Sequence, residues 1–239
     1  MKVFIVTGAS KGIGNALASI LEAEGHKVLR VARTNPNGLE NLMTLDLTDQ
    51  ASPEKIMDWL KPFLSLATEV TLINNAGMIG PIDQVGLLRD EHIAEAMMLN
   101  VTSPIILSNH FASVVQALPI RKNIINISSG AGRHVYSGWS IYCTTKAAID
   151  HFSRAFQVEQ TSKIHPIRVT SIAPGVIDTD MQVEIRLSNK DAFPNIDRFV
   201  DLKESGHLLS PHQSAEMIIN YLNSPLMDGD NPIADVRDI

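Results

Sequence analysis

Val3-Phe4-Ile5-Val6-Thr7-Gly8-Ala9-Ser10-Lys11-Gly12-Ile13-Gly14 is the stretch whose reading decides the fold. The β-branched and aromatic run at 3–7 reads as a strand, and residues 12–24 carry the apolar spacing of a helix. A glycine turn between a strand and a helix is the context in which backbone N–H groups and a helix N-terminus seat a phosphate. Gly8 permits the tight turn, while Gly12 and Gly14 permit close approach of backbone, phosphate and helix. The spacing is Gly-x-x-x-Gly-x-Gly rather than the commoner Gly-x-Gly-x-x-Gly. The competing reading is an ordinary glycine turn.

Strand and helix signals keep alternating downstream. Strands are expected at 27–32, 42–46, 70–74, 123–128 and 167–172, with a weak one at 233–236. Helices are expected at 53–66, from an Asp90 N-cap to about Gln116, at 140–161, and from a Ser210-Pro211 start to Leu222. Continuous apolar strands between helices predict a mostly parallel sheet covered on both faces by right-handed crossovers. No composition break divides the chain, so one α/β domain is expected over residues 1–239. The polar, interrupted stretch 178–209 is expected to lie outside the core, as a lid or binding loop.

Composition excludes several other classes. The chain has 239 residues, 44% hydrophobic and 19% charged, enough to bury a sizeable core. A net charge of −6 argues against general nucleic-acid binding, though not against a local basic pocket for an anionic cofactor. No apolar stretch is long enough to span a bilayer, and none precedes the first strand as a signal region. The one cysteine, Cys143, excludes an intrachain disulfide and reads as a packed thiol. The eight histidines show no metal-ligand spacing, so no metal is expected. These features together predict a cytoplasmic protein with no membrane partner.

Tyr142-Cys143-Thr144-Thr145-Lys146 carries the chemistry. A phenol and an ammonium four residues apart share one helix face, and Ser129 lies 13 residues before the phenol. A neighbouring cation is expected to favour the ionised phenol and bring its pKa toward neutrality. Proton exchange with a carbonyl oxygen follows from such a group. For the cofactor's 2′ position, the second strand ends Val31-Ala32-Arg33-Thr34, with no acid to hold a ribose. Arg33 and Lys11 suit a phosphate, which favours NADP(H) over NAD; the alternative is that both are solvated surface charges.

With Asn74-Asn75-Ala76-Gly77 added, the chain resembles the short-chain dehydrogenase/reductase family from end to end. The resemblance implies a single Rossmann-type, doubly wound domain with a seven-stranded sheet. It also implies Tyr142 as general acid, Lys146 on the nicotinamide ribose, Ser129 on the substrate carbonyl and Asn100 in a water-mediated proton relay. Cofactor contacts implied by it are Gly8, Ser10, Lys11, Gly12, Ile13 and Gly14, then Arg33, Asp46 and Leu47 at the adenosine. Asn75, Ala76 and Gly77, and later Pro174, Gly175, Val176 and Thr179, complete them. A homodimer or homotetramer is implied as well.

Three segments, 126–132, 138–143 and 173–182, look like the branch that holds benzil reductases and sepiapterin reductases. That implies reduction of one carbonyl of an aromatic or vicinal diketone, with a pterin side chain as the alternative substrate. A non-catalytic NADP sensor is the rival of another class; its usual mark, loss of the tyrosine or lysine, is missing here. Tyr136 and Trp139 are candidates for an aromatic wall, against ordinary loop packing. Met181 and Gln182 are candidates at the start of the lid. Asp235 is either a substrate anchor or, on the simpler reading, an exposed terminal acid.

Overall fold

Seven parallel strands in the order β3-β2-β1-β4-β5-β6-β7 form the sheet of the structure, a computed structural model that describes residues 1–238. The strands are β1 (Lys2–Thr7), β2 (Lys27–Ala32), β3 (Leu42–Thr44), β4 (Glu69–Asn74), β5 (Arg121–Ile127), β6 (Arg168–Ala173) and β7 (Ile233–Asp235). The helices are α1 (Gly12–Ala23), α2 (Ser52–Leu60), α3 (Asp90–Met97), α4 (Ser103–Val115), α5 (Ser140–Gln160), α6 (Asp180–Arg186), α7 (Ile196–Glu204) and α8 (Pro211–Leu222).

Period-two alternation explains the layering. In β1, Phe4 and Val6 point to one face, where α1 and α8 supply Leu17, Leu21, Ile218 and Leu222. Val3 and Ile5 point to the other, where α2, α4 and α5 supply Ile56, Leu60, Phe111 and Phe156. Both faces of the inner strands are therefore apolar, which is why their sequence reads as continuous runs. α8 opens with a capping box, Ser210 accepting from the Gln213 N–H while the Gln213 side chain accepts from the Ser210 N–H.

Several expected boundaries moved for local reasons. The helix expected at 53–66 changes at Lys61–Phe63 into a tighter turn containing Pro62. Asp90 is not a cap: Arg89 is the extended flanking residue, and Asp90 and Glu91 lie in the first turn, where carboxylates suit the helix dipole. The helix expected to run on to Gln116 is interrupted by a π-turn at Met98–Thr102. The 178–209 stretch is not outside the core. It forms α6 and α7, and Ile185, Phe193, Ile196 and Phe199 bury themselves with Ile79, Trp139 and Tyr142 in a third apolar cluster.

The strand order reverses direction of travel between β1 and β4. At such a switch point the two following loops diverge and leave a crevice at the C-terminal strand ends. Gly8 to Gly14 leave β1 there and Asn75 to Gly77 leave β4 there.

Candidate active site

The glycine turn is braced from below and from the side. Thr7 Oγ accepts from the N–H groups of Asn75 (2.9 Å) and Ala76 (3.0 Å) and donates to the Ile73 carbonyl. Asn75 Nδ2 donates to the carbonyl oxygen of Thr7 at 2.8 Å, so its amide ties the two loops together. A side chain at Gly14 would strike the Asn75 amide and lie 2.5 Å from the Gly8 carbonyl oxygen, so only glycine lets α1 pack this closely. At Gly12 the nearest neighbour of such a side chain is the Thr179 methyl, 3.5 Å away; glycine keeps the strip between turn and Thr179 clear, as a bound pyrophosphate requires.

Arg30 is a bracing residue that sequence reasoning missed. It is 2% exposed on β2, and its guanidinium reaches the Ala9 carbonyl, the Asn15 backbone and side chain, Ser19 and Glu22. A cation inside an apolar strand pattern was the available signal, since buried arginine demands partners. Arg33, three residues on, is exposed beside Asp46, whose carboxyl is held low chiefly by hydrogen bonds from Thr48 and further by the Arg33 charge. Asp46 thus shapes its own turn, with Leu47 half-buried next to it. Lys11 spans the groove to Asp180 at 2.6 Å, an exposed ion pair of small worth that water or an anion can displace.

Asn100 sits at the centre of the π-turn, 2% exposed. Its amide donates to the Met78 carbonyl (2.8 Å) and accepts from the Met78 N–H (2.9 Å), a reciprocal clamp on the loop after β4. It also donates to Thr145 on α5 at 3.3 Å. The side-chain amide of Asn100, the residue expected to support a water-mediated proton relay, is thus engaged with the Met78 backbone and Thr145.

Ser129 follows β5 and caps a short helical turn, its Oγ accepting from the Ala131 N–H at 3.1 Å. Tyr142 and Lys146 face it from the first turns of α5. Lys146 donates to the Ile127 carbonyl at 2.9 Å and lies 5.6 Å from the Tyr142 ring centre. The expected fall in the phenol's pKa is not found: burial pushes Tyr142 up to about 12, with the Ser129 hydroxyl pulling the other way. Lys146 yields instead, burial bringing it down to about 8 against the pull of Asp150. Desolvation outweighs one neighbouring charge when both groups are buried. A phenol that stays protonated is the form an acid needs.

Downstream, Pro174, Gly175 and Val176 leave β6 as a short parallel track with Leu209, whose N–H donates to the Val176 carbonyl at 2.9 Å. Thr179 flanks α6 in extended conformation. Trp139 stacks face to face on Phe193 (4.5 Å) and meets Tyr136, Phe199 and Tyr142 at 5.2, 5.2 and 5.7 Å. Gly138, at φ +84, lets this turn press on the α6–α7 segment: any side chain there would collide with the Ala192 carbonyl oxygen. Trp139 Nε1 and Ser140 Oγ are buried without a hydrogen-bond partner, a rare condition for polar groups.

Tyr136 accepts from Arg198 on α7 at 3.2 Å, Gln182 accepts from Arg186 at 3.0 Å, and Met181 packs half-buried on the aromatic cluster. A cleft of about 770 Å³ opens between the 78–82 loop and α6, with Met78, Pro81, Ile82, Val183 and Leu187 as its apolar wall. Neither Ser129 nor Tyr142 lines it. Asp235 is not an exposed acid: it is 8% exposed, gripped by Arg237 at 2.8 and 2.5 Å with Arg133 4.0 Å away. Cys143 is buried with its thiol toward the His134 carbonyl. Among the described residues, no cluster of His, Cys, Asp or Glu is placed to hold a metal ion, and no helix is long and apolar enough to cross a membrane.

Comparison with known proteins agrees with this geometry. The family model described as short chain dehydrogenase matches residues 2–190. The chain is 36% identical over 234 residues to the benzil reductase ((S)-benzoin forming) of Bacillus subtilis (strain 168), covering 96% of each chain. It is 30% identical over 245 residues to the sepiapterin reductase of Xenopus tropicalis, covering 92% of this chain and 90% of that one. Among solved structures, the KRED1-Pglu enzyme superposes with a TM-score of 0.79 at 30% identity, over 94% of this chain and 96% of the other.

Proposed function

The chain belongs to the short chain dehydrogenase family, and on that premise we propose that it is an NADPH-dependent reductase of aromatic or vicinal diketones. The observation that carries the reading is the meeting of Ser129, Tyr142 and Lys146 beside the braced glycine turn. The residues fit a dinucleotide: glycine keeps the strip at Gly12 open, α1 points its N-terminus at it, and Arg33 stands exposed where a 2′-phosphate would lie. Bound NADPH supplies the hydride.

The chain's own groups divide the remaining work. Ala131 occupies one lone pair of Ser129 Oγ, which leaves the hydroxyl proton free to donate to the substrate's carbonyl oxygen. Tyr142, held protonated near 12, gives its proton to that oxygen as negative charge develops. Lys146 spends one N–H on Ile127 and keeps others for a ribose hydroxyl. At about 8 its pKa leaves it mostly charged at neutral pH, so it can stabilise the phenolate that Tyr142 becomes. Asn100 acts here as the clamp that holds Met78 and the loop after β4.

A diketone is favoured over a pterin by three features. The 36% relative is a benzil reductase, and the cluster around Tyr142 is built from flat aromatic rings with an unpartnered indole N–H, a donor that a second carbonyl oxygen would satisfy. Asp235, the candidate pterin anchor, is already neutralised by Arg237. Tyr142 is buried and the α6–α7 segment packs on Trp139 beside it, so 178–209 is read as a lid over the substrate. Assembly as a homodimer or homotetramer in the cytoplasm, from one domain spanning the chain, completes the reading.

The test is loss of NADPH absorbance with purified protein, comparing benzil, a phenyl alkyl diketone and sepiapterin, with NADH alongside. Faster turnover of the diketones with NADPH is expected. A preference for sepiapterin would replace the diketone by the pterin, and tight NADPH binding without turnover of any carbonyl compound would favour the sensor.

A further inference from the structure

Asp150 is a buried carboxylate for which no role has yet been given. It is 2% exposed and lies on α5 one helical turn beyond Lys146. A carboxylate so placed stays ionised only if it is hydrogen-bonded and paired. Its Oδ1 accepts from Ser128 Oγ and from Ser171 Oγ, each at 2.6 Å, and its Oδ2 accepts from Arg133 Nε at 3.1 Å.

These donors come from three separate pieces of chain: the residue before Ser129, the middle of β6, and the turn just after Ser129. Arg133 carries the chain of bonds outward, donating to the Ala234 carbonyl at 3.0 Å, with Asp235 and then Arg237 behind it. Ser129 is thus bracketed by Ser128 and Arg133, and both are tied to the helix that presents Tyr142 and Lys146. Gly132 presses on the same place, since a side chain there would lie 2.9 Å from the Lys146 carbonyl carbon.

The charged and titratable groups around this point are few. Lys146 has Tyr142 and Asp150 on its own helix and meets a carbonyl from β5, while its ammonium and the neutral Asn100 amide of the π-turn both lie close to Gly77. Asp150 has Arg133 from the turn, backed by Asp235 at the end of β7 and Arg237 just after it; β6 contributes only a hydroxyl. Among the described residues Asp150 is the one charge that favours the ammonium form of Lys146.

Resting on the reductase reading above, we propose that Asp150 is a positioning residue: it sets Ser129 against Tyr142 and holds Lys146 in its ammonium form, touching neither substrate nor cofactor. A merely structural carboxylate would make the same bonds without governing the charge of Lys146, and the two roles separate by experiment.

Asp150→Asn keeps the shape and the acceptor for both hydroxyls and removes the charge. Lysine labelled with carbon-13 at Cε reads the ionisation of Lys146 by NMR without any turnover, the signal being assigned by its loss in Lys146→Met. The expected result is a Lys146 midpoint lowered by about one pH unit from its value of about 8, with kcat for diketone reduction down about twofold near pH 7 and about tenfold near pH 9, where the charged fraction follows the charged-to-neutral ratio. The loss should shrink toward acid pH, and Asp150→Glu should restore the midpoint. If the stranded Arg133 prevents folding of the single variant, Asp150→Asn with Arg133→Met removes both charges and is read in the same way. An unmoved midpoint in a folded variant, with a loss of kcat equal at every pH, overturns the proposal. A wild-type protein that reduces no carbonyl compound while the midpoint still moves overturns the reductase reading alone and leaves the hold of Asp150 on Lys146 standing.

Discussion

Replacing Arg30 by methionine tests the idea that the cofactor turn is held from beneath rather than by its glycines alone. Arg30 makes six hydrogen bonds, to Glu22 twice, Asn15 twice, Ser19 and the Ala9 carbonyl. Their losses are unequal. Glu22 is 31% exposed and rehydrates, so its pairing contributes no more than about 1 kcal/mol. Ala9 is fully buried, and a carbonyl there that loses its donor costs about 1–3 kcal/mol. The net destabilisation is about 3 kcal/mol, or roughly 6–12 °C in melting temperature for a chain of this size. Because Ala9 lies inside the turn, NADPH affinity should weaken as well, by about tenfold for roughly 1.4 kcal/mol of lost order. Differential scanning fluorimetry and a fluorescence titration with NADPH measure the two effects, with Arg33→Met as a control that should leave the melting temperature in place. A melting temperature within about 2 °C of the parent and an unchanged dissociation constant would refute the bracing role.

Three further outcomes are expected. Tyr142→Phe should abolish ketone reduction while leaving NADPH binding largely intact; near-normal turnover would remove the phenol as acid. Arg33→Ala should weaken NADPH far more than NADH, and an equal loss for both in the same titration would undo the 2′-phosphate assignment. The pH profile follows from Lys146, whose pKa in the fold is depressed to about 8 from 10.5. Its ammonium is present below that value and lost as pH rises through it, while Tyr142 keeps its proton to about 12. The rate constant kcat/KM for NADPH-driven reduction should therefore fall from about pH 8 upward, and a plateau running to the ordinary lysine range would contradict this.

The positions of the strands and the glycine turn were legible because each depends on local pattern: apolar runs for buried strands, glycines at fixed offsets for the turn. The pairing of Ser129 with Tyr142 came from the family resemblance, since a gap of this length fixes no geometry by itself. What the sequence concealed was set by partners distant in the chain. Asp235 reads as a terminal acid until Arg133 and Arg237 are seen around it. The 178–209 stretch reads as polar because Phe193, Ile196 and Phe199 are scattered among charges, and only their packing on Trp139 makes them core. The π-turn at Asn100 leaves no compositional mark, since the residues around it suit an ordinary helix. Tyr142's raised pKa was hidden for another reason. Residue types announce a neighbouring cation, but burial has to be measured.

The stacking of Trp139 on Phe193 also gives the protein a built-in optical signal. The chain contains two tryptophans, and the other, Trp59, lies on α2 against Phe63 and Lys27, on the far side of the sheet from α1. With Trp59 replaced by phenylalanine, all indole emission comes from a ring wedged between the start of α5 and the α6–α7 segment. Lifting of that segment would expose the ring to water and shift its emission to the red, so stopped-flow traces could time opening and product departure separately from hydride transfer.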